Sequence, residues 1–173
     1  MTSISPEAAF VAAISTARSA DAAWKALEDL SGAIVGRGLF TVMLTDTRAG
    51  LVRRAYSSRP REYPASGTKP LHGNTGDWFE TVFNQRRTFV ANTIKDIAKV
   101  FPDHELIGSM GLGSVVNYPV ILEGELVAAI NLLDVAGHYT PERVALIETR
   151  LAIPARLCCA LALRFDGQLG KPA

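Results

Sequence analysis

Residues 111–142, GLGSVVNYPVILEGELVAAINLLDVAGHYTPE, decide the architecture. Two long runs rich in Val, Ile and Leu, residues that fit a pleated and half-buried surface, flank Glu123-Gly124. That dipeptide supplies a tight turn, with glycine where a positive φ is required. Thr140-Pro141-Glu142 then provides an N-cap, a proline at the first helical position and an acid in the first turn. The stretch therefore predicts an antiparallel hairpin that runs into a helix.

The chain has 173 residues, of which 48% are apolar, enough for one domain with its own core. Charged residues make up 20% and nearly cancel, leaving a net charge of +1. That balance speaks against broad electrostatic capture of nucleic acid or of an acidic membrane. The N-terminal MTSISPEAAF lacks a basic segment followed by an apolar run, so no secretory signal is expected. Glu123, Glu125, Asp134 and Arg156 interrupt the apolar runs before they reach the roughly 18 residues of a membrane span. The two cysteines, Cys158 and Cys159, are adjacent in a helical pattern, where successive side chains diverge by about 100°. An internal disulfide is not expected, and a cytoplasmic, reducing compartment is the simplest reading.

In chain order, Ser5-Pro6-Glu7 opens a helical region over 1–31, with Phe10, Ile14, Ala17, Trp24 and Leu27 as its apolar stripe. Residues 19–21 are placed to break it in two. Strands are expected at Leu39–Thr45 and Leu51–Ser57 across an Asp46–Gly50 turn. Arg53 and Arg54 suggest that the second strand lies at an edge or faces solvent, and like Arg86-Arg87 they read as solvated surface. Ser58–Gly76, with three prolines, reads as a long loop. Asp77–Arg86 reads as a short helix carrying Trp78, Phe79, Val82 and Phe83, Thr88–Ala91 as a brief strand, and 102–110 as another short helix. The final helix, 140–165, shows Val144, Ile147, Leu151, Pro154, Cys158, Leu161 and Phe165 at coiled-coil spacing. Leu146, Ile153, Leu157 and Ala160 form a second apolar face. One face can cover the sheet, and the other is expected to meet the N-terminal helix or a second subunit. Pro154 is expected to kink this helix.

FTVMLTD, LVRRAYSS, the irregular segment 59–76, TFVAN and the closing hairpin, in that order, resemble a GAF domain. The resemblance spans about Ala22 to Phe165; Ala128 stands where the family commonly has glycine. It implies an α+β fold: a central antiparallel β-sheet (38–135) with N- and C-terminal helices on one face and a lidded pocket on the other. PAS-like folds are the structural alternative. The ligand-binding residues expected are Tyr56, Ser57, Trp78, Asn92, Phe101, Asn117 and Asn131. Phe79 and Ile97 would add walls, and His72 and His104 a rim.

Asn117 and Asn131 carry the sharpest expectation. A three-residue Leu122-Glu123-Gly124 turn puts Val115 opposite Asn131 and makes Asn117 a diagonal neighbour on the same face. A two-residue turn puts the two amides on opposite faces. On one face of an apolar hairpin they either satisfy each other or present donors and acceptors to a ligand.

No zinc spacing, phosphate loop or nucleophile elbow occurs, so neither metal nor cofactor is expected. Several ligand classes of the family are disfavoured. The Asn-Lys-Phe-Asp-Glu set of cyclic-nucleotide binders is missing, no cysteine sits near the pocket for a tetrapyrrole, and residues 1–157 hold no cysteine for methionine-sulfoxide reduction. In the last group acids on the hairpin hold substrate, whereas Val115, Asn131 and Leu133 stand at the matching positions here. The resemblance implies a sensory module that binds a small molecule and acts through a homodimer or a partner protein, since no output segment fits the remaining residues. The alternatives are an enzyme or accessory subunit using Tyr56, His72 or His104 as acid or base, and a ligand-free dimerisation module.

Overall fold

The computed structural model describes residues 4–71 and 76–166. Six antiparallel strands form one sheet in the order β3-β2-β1-β6-β5-β4. The strands are β1 (Leu39–Asp46), β2 (Leu51–Ser57), β3 (Thr68–Pro70), β4 (Phe89–Ala91), β5 (Ser114–Leu122) and β6 (Glu125–Asp134). Helices α1 (Pro6–Thr16) and α2 (Ala20–Val35) precede the sheet. On the lid side lie α3 (Asp77–Phe79), which continues as a π turn over Glu80–Asn84, and the short α4 (Ile94–Ala98) and α5 (His104–Ser109). The chain then closes with α6 (Pro141–Leu146), a second π turn over Ile147–Leu151, and α7 (Ala152–Phe165).

The local signals act as the side chains require. The hydroxyls of Ser5, Ser19 and Thr140 accept from the backbone N–H groups of Ala8, Ala22 and Arg143, capping α1, α2 and α6. Ser19 thereby ends the first helical run and starts the second, as its position predicts. Glu123 (φ 52°) and Gly124 (φ 78°) both adopt the left-handed region. Two such residues in succession give the turn whose twist matches that of the flanking strands.

Strand alternation divides the core. Phe40, Val42, Val116, Tyr118, Ala128, Ile130 and Leu132 face α2 and the C-terminal helices, where Trp24, Leu27, Ile147, Leu151 and Ala155 close the larger core. Leu39, Met43, Val115, Ala129 and Leu133 face the other way, towards Trp78, Val82, Ile97, Phe101 and Ile107 from the lid. The helices cover one face and the lid the other, which is the α+β arrangement expected.

Several details differ from the expectation. The hairpin turn has two residues, because Leu122 pairs with Glu125. The pairing then shifts between Val120 and Ile121, and Val127 becomes the extra residue of a bulge. The bulge resets the face, so Asn117 pairs directly with Asn131 and Val115 with Leu133. The long loop contains β3, whose pairing with β2 makes β2 an interior strand. In the C-terminal helix the buried stripe is Ile147, Leu151, Ala155, Cys158 and Ala162, while Phe165 is exposed. The π turn inserts before Pro154 and shifts the stripe from the uniform coiled-coil spacing; it also loosens the ladder one turn before the residue that lacks a donor.

Leu151 is fully buried in the helix-side core, and its turn packs against α2. Leu151→Ala should lower unfolding stability by about 2–5 kcal/mol, read as a reduced urea midpoint with an unchanged slope.

Candidate functional site

A single cross-sheet row builds the floor beneath the lid. Ser57 pairs with Thr41, Thr41 with Asn131, Asn131 with Asn117, and Asn117 with Phe89. Asn117 Nδ2 donates to Asn131 Oδ1 at 2.5 Å, and Asn131 Nδ2 donates to Thr41 Oγ1 at 3.0 Å. Both amides are buried, yet Asn117 Oδ1 accepts no hydrogen bond. The two asparagines thus satisfy each other only in part. An unpaired buried acceptor costs about 1–3 kcal/mol.

Above this floor lies a cavity of about 40 Å³, lined by Thr41, Asn117, Asn131, Met43, Val115 and Leu133 from the sheet. Arg54, Tyr63, Lys69, Trp78, Phe101 and Ile107 complete it. A space of that size holds a few waters. A cleft of about 280 Å³ lies beside it and shares Lys69 and Trp78 with it as a common wall. Pockets for small organic ligands run about 300–1,000 Å³, so the inner space alone is smaller than such a pocket.

The wall holds charge among aromatic rings. Lys69 Nζ lies 4.6 Å from the centre of the Trp78 ring and 4.9 Å from that of Phe101. Trp78 and Phe101 meet edge to face at 5.7 Å. Among the described residues no carboxylate forms an ion pair with Lys69. Burial pushes its ammonium below the usual lysine range; Asp103 counters this in part, and Arg54 adds to the lowering. The Arg54 guanidinium stacks 3.8 Å above the Tyr63 ring and donates from Nη1 to Pro64 O at 2.8 Å, while its Nε is buried without a partner. A Cβ on Gly67 would lie 2.9 Å from Arg54 Nη1, so a larger residue there would make the guanidinium shift. Tyr63 donates its hydroxyl to Asp103 Oδ2 at 2.5 Å; burial first, then that bond, pushes the phenol above its ordinary range. The Trp78 indole Nε1–H is buried and has no acceptor.

Of the residues expected to bind ligand, Trp78, Phe101, Asn117 and Asn131 come together here. Ser57 ends the floor row but lines neither space; its hydroxyl accepts from Arg59 N. Tyr56 does not join them. A bulge at Ala55 places Tyr56 opposite Val42 on the helix side, where its hydroxyl donates to Glu28 Oε2 at 2.6 Å. Glu28 also pairs with Arg37, so this is a tie between sheet and helix. Asn92 exchanges two hydrogen bonds with the Tyr139 backbone and pins the chain entering α6. Phe79 lines the outer cleft, and Ile97 packs in the lid core. His104 contacts Phe101 O through Nδ1 and lines neither space, while His72 lies outside the described residues.

Arg54 and Lys69 were missed. The parity of Val52 and Arg54, two residues apart on one strand, is the signal that would have turned Arg54 inward. Lys69 sits in a strand of three residues, too short to show alternation. Burial pushes the Cys158 thiol up to about 12 and raises Cys159 as well; Cys158 Sγ donates to Ala23 O at 3.3 Å, on the helix side of the sheet. Among the described residues no group of three His, Cys, Asp or Glu side chains is disposed to hold a metal, and no helix is long and apolar enough to cross a membrane.

A GAF domain family model matches residues 16–151, and the chain belongs to that family. No curated protein matches it in sequence. The structure is similar to the GAF domain of a phosphoenolpyruvate-protein phosphotransferase from Acinetobacter (TM-score 0.68, 11% identity, covering 91% of this chain and 92% of that one). It is also similar to the GAF domain of a two-component sensor histidine kinase from Bacillus halodurans (0.61, 16%, 87% and 96%). A third likeness is to residues 122 to 287 of a methyl-accepting chemotaxis protein (0.63, 14%, 93% and 98%). At these identities the likeness is one of fold. GAF domains are sensory and regulatory modules of signalling proteins.

Two outcomes follow for the wall and the floor. Lys69→Met should raise the thermal midpoint of the ligand-free protein at neutral pH, because it removes a charge that burial disfavours. The penalty is present in full below the folded-state pKa of Lys69. It fades as pH rises through that value towards the unfolded value of about 10.4, so the gain over wild type should shrink across that window in pH-dependent melting curves. Asn117→Leu and Asn131→Leu should each keep the fold by circular dichroism and lose ligand binding; unaltered binding in both removes the pair from the site.

Proposed function

We propose that this chain is a small-molecule sensory GAF domain that binds its ligand between the Thr41–Asn131–Asn117 floor and the Trp78–Phe101 lid. The observation that carries this reading is the unpaired, buried Trp78 Nε1–H and Asn117 Oδ1 among residues lining one largely apolar cavity. Unpaired groups of this kind are costly in a finished core. A ligand offering one acceptor and one donor satisfies both. Ligand entry separates Lys69 and Trp78 and merges the inner cavity with the outer cleft.

The signal leaves through the helical layer, to a second copy or a partner protein. On α7, Ile153 (77% exposed) and Leu157 (41%) present apolar side chains one turn apart, and Val11 (58%) does the same on α1. In this reading these residues meet their equivalents in a homodimer. A ligand-free dimerisation module is the competing reading, favoured by the small volume of the inner cavity.

Native mass spectrometry of the purified protein, compared with the denatured chain, separates the two. A small molecule released on unfolding supports the sensor and identifies its ligand, whereas a dimer without any released mass favours the module. Ile153→Glu should shift the dimer to monomer at micromolar concentration; an unchanged dimer would remove α7 from the interface.

A further inference from the structure

The ligand-binding reading above leaves the chemistry of the ligand open, and the charges around the cavity narrow it. Arg54 and Lys69 both line the inner space, and Lys69 and Lys99 line the outer cleft. None of the described residues lining either space is acidic. Lys99 is paired with Asp96 at 2.7 Å, and Lys69 has no such partner. Asp103 lies behind the lining and is bonded by the Tyr63 hydroxyl. Two cations against one carboxylate leave a single uncompensated positive charge beside the cavity.

Lys69 is half-buried against two rings and pairs with no carboxylate among the described residues, so its charge is one that an anion sharing the site would offset. Arg54 is the second donor, its guanidinium already oriented by the Tyr63 ring and Pro64 O, with Nε unpaired. Such a pre-set fork suits a carboxylate. The Trp78 indole N–H adds a neutral donor to the same wall. The remaining lining is aromatic and aliphatic: Phe101, Ile107, Met43, Val115 and Leu133. This combination matches a compact acid head on an apolar body. A phosphate monoester, with close to two negative charges, would exceed the positive charge available.

We propose that the ligand is a small organic monocarboxylate, its acid group held by Lys69 and Arg54 and its apolar part packed between Phe101 and the sheet. This rests on the sensory reading of the same cavity. It also accounts for the lysine in the wall: the carboxylate neutralises it, and moving Lys69 onto the ligand opens the passage between cavity and cleft.

The test uses the full chain labelled with nitrogen-15, following the indole N–H resonance of Trp78, assigned by its loss in Trp78→Phe. Four probes are titrated as matched pairs, phenylacetate with phenylacetamide and hexanoate with hexanamide, and phenyl phosphate is added as the dianion. The acids should shift the resonance saturably and bind at least about tenfold more tightly than their amides, a difference expected of one desolvated charge pair. Lys69→Met should abolish that preference, and Lys69→Arg should retain it. Equal affinity of acids and amides, or a preference that survives Lys69→Met, overturns the carboxylate assignment while leaving a ligand pocket in place. Tighter binding of phenyl phosphate than of phenylacetate overturns the monoanion. A Trp78 resonance that no probe moves overturns the assignment, and with no released mass in the native spectrum it overturns the pocket too.

Discussion

Everything in this molecule depends on the two-residue alternation of the central strands and on the two bulges that reset it. Side chains on one face of β1, β5 and β6 build the core beneath α2 and α7, and those on the other build the floor of the cavity. Without the extra residue Val127, the two-residue turn would put Asn117 and Asn131 on opposite faces. Without the extra residue Ala55, Tyr56 and Arg54 would share a face. One inserted residue in each strand therefore sends Arg54 to the cavity and Tyr56 to Glu28 on the helix side, and makes the two amides partners.

The two faces carry different energetic burdens. The helix side is closed by Trp24, Leu27, Phe40, Ile147 and Leu151, all fully buried, and its main polar link is the tie of Tyr56 and Arg37 to Glu28. Burial of that apolar surface is the chief stabilising contribution. The lid side instead keeps an unpaired indole N–H, an unpaired amide oxygen and a lysine whose charge burial disfavours. Those groups lower stability in the free protein. Of the buried side-chain atoms without a partner among the described residues, Trp78 Nε1, Asn117 Oδ1 and Arg54 Nε belong to residues lining this cavity, while Arg37 Nε and Tyr139 Oη lie away from it.

The sheet is one layer thick, and this couples the faces. Thr41, Asn131 and Asn117 are followed along their strands by Val42, Leu132 and Tyr118, which point into the helix-side core. Floor residues and residues that touch the helical layer thus alternate along the same strands. Asn92 adds a second connection: it follows β4 directly and holds the Tyr139 backbone, one residue before the Thr140 cap of α6.

The sequence by itself determined the family, five of the six strands in their order along the chain, and the caps at Ser5, Ser19 and Thr140. These depend on local chemistry: branched side chains in alternation, a hydroxyl before a helix, a proline at its first position. The resemblance correctly placed helices on one face and lid on the other, and Trp78 and Phe101 in the lid. Only the tertiary structure decided that Asn92 and Tyr56 serve as ties, that β3 exists, and that Arg54 and Lys69 face the cavity. Bulge positions, a three-residue strand and the placement of a π turn ahead of Pro154 are fixed by packing between distant segments. A single-residue shift there reverses which face a side chain occupies, and no local pattern in the chain encodes that choice.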